Sequence, residues 1–174
     1  MSDTLITIVA IFLAAILMFV FPLMSVAERG DDMSLLSVTT ATTEFVDNSR
    51  AIGKITMDNY SKLVSAIQAT GNAYDIEIEV KVLDENIGKK SAWTSGTVIG
   101  ENVYYSVYTS QIMDVLESGS AYNMKEGDIM SVSVKNTNKT MAQTIRSAFY
   151  SISGSDTYQI AAQHSGMVQA TGSK

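Results

Sequence analysis

The sequence predicts an α+β fold: a long N-terminal hydrophobic helix followed by a roughly four-stranded antiparallel sheet packed with helices. Three observations point there. Residues 4–27 contain no charged side chain, and 5–23 read LITIVAIFLAAILMFVFPL. Residues 74–83 alternate apolar and charged side chains. From 97 to 170, short strand-like and helix-like stretches follow one another at close intervals.

The first element follows from length and hydropathy. At about 1.5 Å of rise per residue, some 20 apolar residues cross a hydrocarbon core of roughly 30 Å. Exposed to water, such a stretch would leave a large apolar surface uncovered, so it belongs in lipid, in a bundle of its own copies, or in each at different times. Pro22 lies inside the run; it removes a backbone donor and is expected to kink the helix near the membrane exit. Three readings of this segment stand side by side. A cleaved secretory signal has a small-x-small site at Ser25-Val26-Ala27, but Met1-Ser2-Asp3 has no basic residue and the apolar run is long. A plain anchor needs only the hydropathy. An assembly helix serves as anchor first and as bundle core later. Arg29, among Glu28, Asp31 and Asp32, gives the positive-inside rule little to act on; the Ser/Thr/Asn-rich remainder favours an extracytoplasmic domain.

The remaining elements are expected in this order. Residues 28–32, ERGDD, read as a linker or loosened turn. Residues 33–55 read as a helix, with Phe45 and Ile52 seven apart on one face, weakened by the Thr-rich stretch 39–43 and ended or bent by Gly53. In 57–70, Tyr60, Leu63, Val64 and Ile67 make an i, i+3, i+4, i+7 stripe. Thr56 or Asp58 caps its start, and Gly71 suits a left-handed C′ position. In 74–83, Ile76, Ile78, Val80 and Val82 alternate with Glu77, Glu79 and Lys81, a strand with one wet face. Then come a turn at 84–90, a strand or broken hairpin at 97–108 around Gly100, and a short helix at 110–117 ended by Gly119. A strand at 129–135, an amphipathic helix at 138–152 with Met141, Ile145, Ala148, Phe149 and Ile152 inward and stopped by Gly154, and a last strand at 157–170 with Gly166 as a bulge complete the chain. The divisions are 1–27 as the membrane or assembly helix, 28–73 as its amphipathic helical continuation, and 74–174 as the α+β head.

Composition narrows function. The chain has 12 basic and 18 acidic residues, and Asp3 is the one charged residue before Glu28. An acidic domain with no Lys/Arg cluster argues against nucleic acid and anionic headgroups as partners. With no cysteine, disulfides, thiolate metal sites and Cys nucleophiles are excluded. His164 is the single histidine, in a Ser/Gln-rich strand that accounts for it as a surface or half-buried residue. Glu77 and Glu79 share the wet strand face, and Asp84-Glu85-Asn86 lacks the ligand spacing of a calcium loop. No phosphate-binding glycine loop or nucleophile elbow occurs. We therefore expect no enzyme, cofactor or metal. Trp93, Tyr104, Tyr105 and Tyr108 form a possible contact surface, by cross-strand packing, a subunit contact or ligand recognition.

The candidate site is the helix itself: Leu5, Ile8, Ala10, Phe12, Ala14, Ala15, Phe19 and Pro22. Small Ala10, Ala14 and Ala15 lie near bulky Ile11, Phe12, Phe19 and Phe21, a mixture that permits close helix–helix approach without a GxxxG motif. An uncharged apolar helix containing Pro22, an amphipathic continuation and a small C-terminal sheet together resemble the pilins and pseudopilins of type IV filaments, including the Tad-type minor pilins. Asp3 is the rough positional counterpart of the acidic residue near the start of that family's helix. The resemblance implies a structural subunit. Its helix would anchor it in the membrane and then pack with other copies along a filament axis, and its head would face outward. It implies self-association, the membrane, and envelope or pilus-assembly proteins as partners.

Overall fold

A computed structural model of the chain describes residues 2–83, 104–150 and 160–172. Its first element, α1, is one helix of 51 residues, Ser2–Ile52, about 77 Å long at the usual rise. The chain stays helical on both sides of Pro22 and straight through residues 28–32. The expected linker at ERGDD is therefore corrected: it is mid-helix. The reason is tertiary. Asp31 is buried against the head, accepting a hydrogen bond of 2.7 Å from Thr140 Oγ1, and Glu28 Oε1 accepts one of 2.5 Å from Arg146. Farther along, buried Thr42 donates back to the Val38 carbonyl, so its hydroxyl is satisfied inside the helix.

At Gly53 the backbone enters the left-handed region (φ 68°) and α1 ends. The chain passes through a two-residue strand, β1 (Lys54–Ile55), into α2 (Met57–Gln68). The Thr56 side chain accepts from the Asn59 N–H and caps α2. Next come β2 (Tyr74–Leu83), β3 (Tyr104–Tyr108), α3 (Thr109–Glu117), β4 (Tyr122–Asn123), β5 (Ile129–Asn136), α4 (Met141–Tyr150) and β6 (Ala161–Met167). The predicted turn at 84–90, Trp93, Gly100, Ile152 and Gly154 lie outside the described residues.

The main sheet has four antiparallel strands in the order β3-β2-β5-β6. Register explains its two faces. Ile76, Ile78 and Val80 stand opposite Val134, Val132 and Met130, and these join Val38, Phe45 and Val46 of α1, Leu63 and Ile67 of α2, and Ile112 and Leu116 of α3 in one core. The helices thus cover one face of the sheet. On the other face, Glu77 pairs with Lys135 at 3.8 Å and Glu79 accepts from Ser106 at 2.7 Å. β1 and β4 form a separate antiparallel pair, too short to leave a periodic signal in the sequence. Gly166, expected as a bulge, lies in regular register opposite Met130. Its missing side chain instead makes room for Arg50, whose Nη1 would sit 2.6 Å from a Cβ there.

Candidate functional site

Residues 27–49 of α1 have one face buried against the head: Ala27, Asp31, Ser34, Val38, Thr42, Phe45, Val46 and Ser49. Residues 3–26 have no buried face: all are exposed except the half-buried Val20 and Met24. Leu5 is 65% exposed, Phe12 68% and Phe19 71%, and Ile8, Ala10, Ala14, Ala15 and Pro22 are exposed too. One helix therefore does two jobs along its length, as a bare apolar rod below Ala27 and as the spine of the head above it. The rod is long and apolar enough to cross a membrane.

The side chains of the rod are ordered by rotation. Leu5, Phe12 and Phe19 are seven apart, and Ile8, Ala15 and Pro22 are seven apart and three residues on. These are the a and d positions of a heptad, which share one helix face. Ala10 and Ala14 lie off this stripe. Continuing the same spacing reaches Val26 and Met33 in the first series and, past the charged Arg29, Leu36 in the second. All three are exposed, Met33 at 74% and Leu36 at 68%, on the side of α1 turned away from the head. Val26, Met33 and Leu36 are all absent from the set expected from the sequence. The seven-residue spacing is visible in the chain, but Arg29 on the stripe and its neighbours Glu28, Asp31 and Asp32 mask it, and which face stays free is decided by where the head docks.

The aromatic candidates fall at a sheet edge. Tyr104, Tyr105 and Tyr108 lie on β3, and all three are exposed. Alternation along the strand puts Tyr104 and Tyr108 on one side and Tyr105 on the other. Tyr105 stands opposite Val82, on the side facing Tyr122. Burial, then the neighbouring Tyr105 and Asp128, push the Tyr122 phenol up to about 12. Trp93 lies outside the described residues.

Titratable side chains also meet between α1 and β6. Asp47 Oδ1 lies 2.9 Å from Arg50 Nε and 3.2 Å from His164 Nε2. A carboxylate that holds both a guanidinium and an imidazole is a tie between elements, with no nucleophile in the cluster. Among the described residues no three His, Cys, Asp or Glu side chains converge as a metal site would require. A groove between α1 and α2, lined by Glu44, Asn48, Lys62 and Leu63, has a volume of about 290 Å³. It presents no converging set of catalytic groups.

Comparison with protein-family models, curated proteins and solved structures returns no match.

Proposed function

We propose that this chain is a structural subunit of a cell-surface, pilus-like filament or of the apparatus that assembles one, held in the membrane by α1 and assembling through it, with the α+β head outside. The observation that carries this reading is the heptad stripe. A lone anchor needs apolar residues only within the bilayer. Here the spacing is interrupted at Arg29 and then returns to apolar at Met33 and Leu36, on the face of α1 opposite the head, where a single copy would leave them in water. A bundle of α1 helices would bury them, and the small Ala15 between Phe12 and Phe19 allows close approach. An acidic head with a polar outer sheet face suits display in solvent.

The test is mechanical shearing of cells that express the full chain, with mass spectrometry and electron microscopy of the released material. Recovery of the chain in thin polymers supports the reading. Retention of all of it as a membrane-bound monomer removes the filament. The alternative is a single-pass anchored binding module of an envelope complex, favoured by the exposed Tyr104, Tyr105 and Tyr108 on β3. Under that reading Tyr105→Ala and Tyr108→Ala abolish partner binding by a protein that shearing never releases.

A further inference from the structure

We propose that α4 is a second membrane-contacting element, an interfacial helix whose outer face lies in the headgroup and upper acyl region of the bilayer beside the exit of α1. The starting point is where α4 is tied down. Its capping residue Thr140 bonds Asp31, and Arg146, two turns on, bonds Glu28. As α4 advances from 140 to 146, its partners on α1 step back from 31 to 28. The helix therefore descends along α1 toward the apolar rod and reaches Glu28, the first residue past that rod, before its own last turn.

A second observation lies on the rod. Among residues 3–26, Val20 and Met24 are the two that are half-buried rather than exposed. With Ala27 and Asp31 they fall on one helix face, the face that α4 approaches. The face that α4 approaches thus includes residues of the apolar run that are not fully exposed.

The composition of α4 fits that position. Ala142 and Gln143 are buried, and Arg146 is engaged with Glu28. Met141, Ile145 and Ala148, at i, i+4 and i+7, share the side turned away from those contacts, which corrects the inward face expected of them: Met141 and Ala148 are exposed and Ile145 is half-buried, because Ala142, Gln143 and Arg146 are the residues turned to α1. An apolar outer stripe on a short helix fixed at the boundary of an apolar span is the pattern of an interfacial helix. The occupant of this face is lipid, because the face is continuous with the span at the level where the bilayer ends. The surrounding Glu28, Asp31 and Asp32 give anionic headgroups no advantage, so apolar burial is the driving term. This inference rests on the bilayer-inserted state of the proposed subunit.

The chain has no cysteine, so single spin labels are unambiguous. The full chain is reconstituted in phosphatidylcholine vesicles with a label at Leu13→Cys, Met141→Cys, Ala148→Cys or Gln163→Cys. Collision with oxygen and with a water-soluble nickel chelate is then measured at each. Gln163 is the aqueous reference: its neighbour His164 meets Asp47, which lies 20 residues beyond Ala27, or about 30 Å along α1. The expected result is an oxygen-to-nickel ratio severalfold higher at Ala148 than at Gln163, with Met141 between them and Leu13 deepest. Leu13 in lipid but Ala148 as nickel-accessible as Gln163 overturns the interfacial helix and leaves the anchor standing. Nickel access at Leu13 overturns the anchor itself. Shielding of Ala148 from both reagents, with dipolar broadening between labels, means that a second copy covers α4, and also overturns the proposal.

Discussion

Thr140 shows how much one hydroxyl can hold. Its Oγ1 donates to Asp31 on α1 and accepts from the Gln143 N–H, while the Gln143 side chain accepts from the Thr140 N–H. This reciprocal capping box starts α4, and the same oxygen satisfies a carboxylate that is 8% exposed. Thr140→Val keeps the shape and removes both functions. The orphaned carboxylate and lost cap should together cost about 1–3 kcal/mol, read as a lower melting temperature of the full chain in detergent. Thr140→Ser should restore most of it. Tyr122 carries a different residue-scale prediction. An unfolded tyrosine ionises near about 10, whereas burial holds the Tyr122 proton until about 12. Across that interval the folded state binds more protons than the unfolded one, so stability falls as pH rises through it and is unaffected by this group below it. Tyr60, raised by burial, acts in the same direction. Tyr122→Phe should flatten the alkaline decline in chemical-denaturation midpoints between pH 10 and pH 12, with little change at neutral pH.

At the scale of elements, the end of α1 is where the head closes. Gly53 has φ 68°, and a Cβ there would fall 2.0 Å from the Ala170 carbonyl oxygen and 2.6 Å from the Gly172 nitrogen. Its own carbonyl accepts from the Met124 N–H, whose carbonyl accepts from Gly172, and the Arg50 carbonyl accepts from Gln169. The C-terminal strand exit is thus laced over the helix terminus. Gly53→Ala should cost more than the roughly 1–2 kcal/mol of a left-handed alanine alone, because the strap must also move; hydrogen exchange should rise at Gln169 and Gly172 before it rises in β2. Sequence legibility divides along the same line. The alternation in β2 is local, so Ile76 to Val82 announce both strand and faces without any partner. The helical state of residues 28–32 is not local. It depends on Thr140 and Arg146, more than a hundred positions away, and ERGDD alone reads as a break. β1 and β4 hold two residues each, below any periodicity. The apolar rod was legible from composition, but its extension to Met33 and Leu36 required knowing which side of α1 the head covers.

At the scale of the whole molecule, the proposed function asks α1 to satisfy two environments with one helix, and Met33 and Leu36 are where the two demands separate. Within residues 5–23 any apolar side chain suits both lipid and a bundle, so a substitution there cannot tell insertion from assembly. Beyond Ala27 the bilayer no longer requires apolarity, and the head lies on the opposite face. Replacing Met33→Glu and Leu36→Glu together should therefore leave membrane insertion unchanged, since the charges fall outside the span. It should also leave the melting temperature of the head unchanged, since neither side chain contacts the core. What it removes is the upper end of the heptad stripe, and it sets like charges against one another wherever two copies pack in parallel. If that packing is the assembly interface, two buried apolar side chains lost per contact, at about 1.5 kcal/mol or more each, should lower the sheared, polymer-borne fraction at least tenfold. The chain should then accumulate as inserted monomer by crosslinking in membranes. Ala10→Leu is the matched comparison within the span but off the stripe, and it should shear as the unsubstituted chain does. Undiminished polymers from the double variant would move the assembly interface off the heptad stripe of α1.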